Sequence, residues 1–212
     1  LRQALALGYE PVAYDATTAQ AKSGGVADRE QAQADNLVAA IFARHPTAKV
    51  FIYVGVSHVA EAPLGGTERM AARLKRMTGI DPLTIDQATL TDVSARSAYD
   101  LAAAGIGDRP AIFFDRREPL VLGLYAGAVD LQVVHPRRSY RLGRPTWLAA
   151  LGGRPVPIPK DLVLATGRRL VQVFAASAPA DAVPLDQVLV DGDGEKPMLM
   201  APSEPLRFAV QR

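Results

Sequence analysis

The run Lys49-Val50-Phe51-Ile52-Tyr53-Val54 constrains the fold of this 212-residue chain more than any other segment. It is β-branched and aromatic and is closed by Gly55, which predicts a buried strand. Gly55-Val56-Ser57-His58 follows, so His58 falls in the loop at the carboxyl end of that strand. In an open α/β sheet this edge is where ligands and catalytic groups gather. A histidine there can take a metal, a proton or neither.

Around that run, helix-like and strand-like segments alternate from Leu1 to Asp115. Leu1, Ala4, Leu5 and Leu7 share a helix face that ends at Gly8, and Tyr9–Tyr14 predicts a short strand. Asp28 is the expected N-cap of a long helix, with Gln31 completing a capping box. Its apolar stripe is Ala34, Leu37, Val38, Ile41 and Phe42, and His45-Pro46 ends it. A helix over Glu68–Thr78, a strand over Leu83–Ile85, a helix over Asp92–Ala104 and a strand over Ala111–Phe114 follow. The order predicts an α/β domain with a mostly parallel sheet over residues 1–117.

From residue 118 to 212, prolines and glycines punctuate β-like runs at Val129–Val134, Leu170–Phe174, Val188–Val190 and Met198–Met200. A β-rich antiparallel domain or extension is expected there. Both ends of the chain are expected to be cut, because it opens inside a helix and stops directly after the strand-like Leu206–Val210. The reading is therefore a fragment or a processed product.

Composition narrows the functions. A net charge of +2 carries no global signature of nucleic-acid binding. With no cysteine, disulfides, thiolate zinc sites and a cysteine nucleophile are excluded. No run approaches the ~18 apolar residues of a membrane-spanning helix, since Leu120–Val134 is broken by two glycines and Asp130.

Four strand ends carry polar residues on one expected edge: Asp15, Ser57-His58, Asp86 and Asp115. One histidine with carboxylates suits a divalent metal such as manganese, iron or zinc, or an acid/base pair around water. For Asp15 and Asp115 a turn or cap role outweighs function. Glu61 is expected to face solvent, and Glu30 to sit at the positive end of the helix dipole. Arg29, a cation at a helix start, would serve an anionic substrate or an oxyanion. Arg69, Arg73 and Arg76 at helical spacing read as a solvated face, and His45 and His135 as structural. Arg137, Arg138, Arg141 and Arg144 cluster around Tyr140 and would suit phosphate or an acidic polymer. The lone Trp147 reads as core rather than as a ligand platform. Neither a phosphate-binding glycine loop nor a nucleophilic serine elbow is present.

Arg29 opening a helix, then a strand ending in Gly55-Val56-Ser57-His58, resembles the Tiki superfamily. That group gathers TraB/PrgY-like and GumN-like proteins, erythromycin esterases and ChaN-like haem-binding lipoproteins. The stretch Met70-Ala71 to Leu74, closing with Gly79-Ile80, is similar to the helix that follows the family's second Gly-x-x-His motif. The resemblance covers residues 1–90. The family's first Gly-x-x-His and its companion glutamate have no counterpart here, so the resemblance implies half an active site. It implies a metal-dependent hydrolase of ester or peptide bonds. In that reading His58 is metal ligand or general base, Arg29 stabilises negative charge, and Asp86 orients or ligates. The ChaN-like branch implies instead a haem or iron binder with His58 as ligand. The substrate would be a small molecule or peptide, and the resemblance points to a periplasmic or envelope location. A third reading is a non-enzymatic scaffold whose β domain, through Trp147 and Tyr140, binds saccharide or protein.

Overall fold

The computed structural model describes residues 2–20, 24–92, 96–163, 167–191 and 197–211. It divides into two compact units, Leu1–Arg137 and Arg138–Arg212.

The first unit is organised by two helices. After α1 (Arg2–Ala6), which ends at Gly8 with φ +82°, α2 spans Val26–Leu37 and widens into a π-helical turn over Val38–Phe42. Its N-cap is Gly25, so Asp28 lies inside the first turn and is not the cap. The expected stripe holds: Ala34 and Leu37 are buried, and Val38, Ile41 and Phe42 pack beside them. The partner is α3 (Met70–Thr78), which adds Met70 and Leu74 to that core and ends on Gly79 at φ +72°. Arg69 and Arg73 do not face solvent. They turn onto α2, Arg69 to Glu30 and Arg73 to the side-chain oxygen of Gln31.

The mostly parallel sheet does not form. β1 (Ile85–Asp86) pairs with β5 (Leu131–Val134) in parallel, and every other strand pair among the described residues is antiparallel. β2 (Ala111–Ile112) joins β5 from the other side, while β3 (Phe114–Asp115) and β4 (Glu118–Pro119) make a hairpin. The segments expected as strands at Tyr9–Tyr14 and Lys49–Val54 belong to no ladder. The burial of Lys49–Val54 explains the error. Ile52 and Val54 pack against the α2–α3 core, whereas Phe51 and Tyr53 are 70% and 87% exposed. An interior parallel strand is apolar because both faces are covered; here an equally apolar run covers one face only, and periodicity cannot separate the two.

α4 (Arg96–Ala104) packs Tyr99 and Ala102 against Leu90 and Val134. Its expected start at Asp92 runs into residues 93–95, which lie outside the described residues, as does Ser23 of the expected Ser23-Gly24-Gly25 loop. Because β5 is bonded to β1 and β2, residues 118–137 belong with the first unit and not with the β-rich remainder.

In the second unit, β6 (Tyr140–Arg141) and β7 (Arg144–Pro145) form a hairpin that leads into the single turn of α5 (Trp147–Ala150). β8 (Arg154–Val156) is paired with β11 (Leu199–Ala201). β9 (Arg168–Ala175) is the centre of an antiparallel sheet between β10 (Asp186–Asp191) and β12 (Leu206–Gln211). Val171, Val173, Val188, Val190, Leu199 and Ala201 make its core. This antiparallel β-rich character agrees with the sequence pattern.

Candidate functional site

α2 organises the site because polar residues interrupt its apolar faces. Arg29, Gln33 and Asn36 recur at helical spacing and hold the segment at Tyr14-Asp15. Arg29 donates from Nε and Nη2 to the two Asp15 carboxylate oxygens at 3.0 and 2.7 Å. Gln33 Nε2 donates to Asp15 Oδ1 at 2.8 Å, and Asn36 Nδ2 reaches the Tyr14 and Asp15 carbonyls. Hydrogen bonds from Arg29 and then Gln33 hold the Asp15 carboxyl well below the usual carboxylate range. Asp15 is therefore an ionised anchor rather than a turn former alone.

Glu30, one residue on, points the other way. It is wholly buried, and three donors meet its carboxylate. They are Arg69 Nη1 on Oε1 at 3.1 Å, the Met70 backbone N–H on Oε2 at 2.8 Å, and His58 Nδ1 on Oε2 at 2.9 Å. A carboxylate already receiving an arginine and an amide can only accept, so His58 Nδ1 carries its proton. Neutral His58 then keeps its lone pair on Nε2. The 3-10 turn Val56–Val59 after Gly55 places the ring, whose Nε2 lies 4.0 Å from where a Gly55 Cβ would stand.

Val12, Tyr14, Asp15, Arg29, Gln33, Tyr53, Val54, Gly55 and His58 help line one cleft of about 510 Å³. His58 and Arg29, both expected from the sequence, are thus brought together. Arg29 Nη1 makes no hydrogen bond to the described residues and remains able to donate.

Asp86 is placed elsewhere. It is buried at the end of β1, where Oδ1 accepts from the Ala88 and Thr89 N–H groups and Oδ2 from Gln132 Nε2 at 2.9 Å. It does not line the cleft. Glu61 does not face solvent freely either: it accepts from Thr84 Oγ1 and Lys75 Nζ, both at 2.8 Å. Asp115 is exposed in the β3–β4 hairpin.

His58 Nε2 is one open nitrogen, but the oxygens of Glu30 and Asp15 already accept from protein donors. Among the described residues no three His, Asp or Glu side chains form a group that could hold a metal ion. These residues do not by themselves fit a first coordination shell.

Glu30, expected at the positive end of the helix dipole, is instead buried, and the sequence carries a signal for it. It stands four before Ala34, seven before Leu37 and eleven before Ile41, in register with the buried stripe. A lone carboxylate on a buried stripe is buried with it and needs partners there. No family model, no curated protein and no solved structure matches this chain.

Proposed function

We propose that the first unit carries a hydrolase site acting on an ester or amide bond, with His58 as general base. The hydrogen bond from His58 Nδ1 to the buried Glu30 carries this reading, because it leaves the free lone pair on Nε2 of a ring that lines the cleft. Water at that nitrogen gives up a proton to Nε2 as its oxygen attacks the carbonyl carbon. Arg29 Nη1 donates to the oxygen on which negative charge develops. When the tetrahedral species collapses, the proton on Nε2 passes to the leaving alkoxide or amine, which departs with it. Glu30 positions the ring and stabilises the imidazolium while it is charged. The resemblance of Arg29 and Gly55-Val56-Ser57-His58 to the Tiki pattern supports the same two residues. Asp86, with its hydrogen bonds satisfied by the protein, anchors the β1 end and has no chemical role in this scheme.

The test is hydrolysis of p-nitrophenyl esters by the wild-type chain, His58→Ala and Arg29→Met. A general base contributes on the order of 10²- to 10⁴-fold, so His58→Ala should lose at least a hundredfold in kcat/KM at an unchanged fold. Equal rates in wild type and His58→Ala would end the proposal.

One observation favours a second reading. An imidazole whose Nδ1–H is held by a buried carboxylate is also the arrangement of a metal-ligating histidine, and the cleft walls include Tyr14, Tyr53 and Val54. In a haem binder His58 would hold the iron through Nε2. A strong visible band on haem addition that is absent in His58→Ala supports it, and a flat titration removes it.

A further inference from the structure

The second unit carries a surface that the hydrolase reading does not use. Between Arg138 and Lys160 the chain has five cations (Arg138, Arg141, Arg144, Arg154 and Lys160), and no Asp, Glu, Asn, Gln or His. Arg144 is turned inward, where it pairs with Asp186, a carboxylate that also accepts the Met200 N–H. In the β6–β7 hairpin Tyr140 stands opposite Pro145, and Arg141 opposite Arg144. The Thr146 N–H to Ser139 carbonyl bond extends that ladder by one pair. Side chains alternate across a strand, so Tyr140 and Pro145 lie on the face opposite to the anchored Arg144, while Arg141 shares the Arg144 face and is exposed beside the turn at Leu142.

Large apolar side chains are exposed along this stretch. Tyr140 and the turn residue Leu142 are more than half or half open. Trp147 and Leu151 are 52% and 77% exposed. They are four residues apart across α5, which puts them on one side of that turn. Beneath it, Gly153 fits tightly against the Leu148 carbonyl and Met200, so the helix sits on the body with its Trp147 side outward. Arg141, Arg154 and Lys160 are exposed and form no salt bridge to the described residues.

We propose that this Tyr140–Leu151 surface docks onto an anionic phospholipid bilayer. Trp and Tyr prefer the headgroup level, exposed leucines gain by entering the acyl boundary, and unpaired arginines attract anionic lipid. Saccharide recognition is disfavoured by the lack of carboxylates and amides along residues 138–160 to read hydroxyls. A soluble polyanion would use the arginines but would leave Leu142 and Leu151 in water. The docking is peripheral: no helix among the described residues is long and apolar enough to cross a membrane.

Trp147 is the sole tryptophan and so reports directly. Its emission should shift to the blue on titration with vesicles containing phosphatidylglycerol, but not with pure phosphatidylcholine vesicles, and salt should reverse the shift. Each cation near an anionic surface contributes roughly 1 kcal/mol, so Arg141→Ala/Arg154→Ala should weaken binding about thirtyfold. Leu151→Ser should also weaken it, with an unchanged circular dichroism spectrum in each variant. No shift with anionic vesicles overturns the proposal, as does equal binding to neutral ones. A shift with heparin or an oligonucleotide and none with vesicles overturns it in favour of a soluble polyanion. The salt titration uses wild type alone, so the test stands even if a variant misfolds.

Discussion

Replacing Glu30 with alanine removes the acceptor on which α2, α3 and the His58 turn converge. Three donors lose their partner: Arg69 Nη1 at 3.1 Å, the Met70 N–H at 2.8 Å and His58 Nδ1 at 2.9 Å. The guanidinium of Arg69 is largely buried and would be left without its counter-charge. Breaking a buried pair by deleting one partner costs about 3–5 kcal/mol. Arg69 also bonds the Leu64 carbonyl and keeps slight access to water, so the lower end applies. At roughly 2–4 °C per kcal/mol for a chain of this size, the melting temperature should fall by about 10 °C. Far-ultraviolet circular dichroism is the appropriate probe, because α2 and α3 supply the helical signal while Trp147 reports the second unit. Adding Arg69→Met to Glu30→Ala should restore part of the loss, since both charges are then gone. A Glu30→Ala protein melting within about 2 °C of wild type, or a double variant no better than the single one, would refute a buried, paired Glu30.

Three further outcomes follow from the geometry. Asp15 has its carboxyl pKa lowered by Arg29 and Gln33, so its contribution is present above the ordinary carboxylate value, near pH 4, and is lost as pH falls toward the lower folded value. The pair is exposed, so the effect is at most about 1 kcal/mol; Asp15→Asn should flatten the acid limb of a stability–pH curve below about pH 4. Gly79→Ala meets no atom within 4 Å but must adopt φ +72°, so strain alone should cost about 1–2 kcal/mol. Gly107→Ala, also in open space but without positive φ, should be neutral, and urea titration of the two variants reads the difference. Arg144→Ala strips the mostly buried Asp186 of its cation and should destabilise the second unit by about 3 kcal/mol, read by Trp147 fluorescence.

Much of the local structure was legible in the residues. The α2 stripe, the Gly79 stop and the antiparallel strands of the second unit follow from period, turn chemistry and β-branching. Sheet pairing was not legible, because it depends on distant neighbours. Ile52 and Val54 found the α2–α3 core, yet no strand lies beside them, and a composition of valine and isoleucine does not reveal that. Of the candidate site, the place of His58 in a loop and of Arg29 at a helix start singles both out in the sequence, and both line the cleft. Glu30 and Arg69 were not, because each was read by its own polarity and not by the face it occupies. Asp86, expected from its place after a strand to orient or ligate, has its oxygens taken by two backbone N–H groups and Gln132, contacts that a strand-end position does not reveal.

A general-base His58 must donate through Nδ1 to Glu30 and keep a bare Nε2. Long-range ¹H–¹⁵N correlation spectra of the uniformly labelled chain read this tautomer directly. Only three histidines are present, and His58→Ala assigns the resonance. Neutral His58 should show a protonated-type Nδ1 shift and a lone-pair-type Nε2 shift, with the pattern lost in Glu30→Ala. A proton on Nε2, or a tautomer mixture unchanged by Glu30→Ala, would contradict that role of His58.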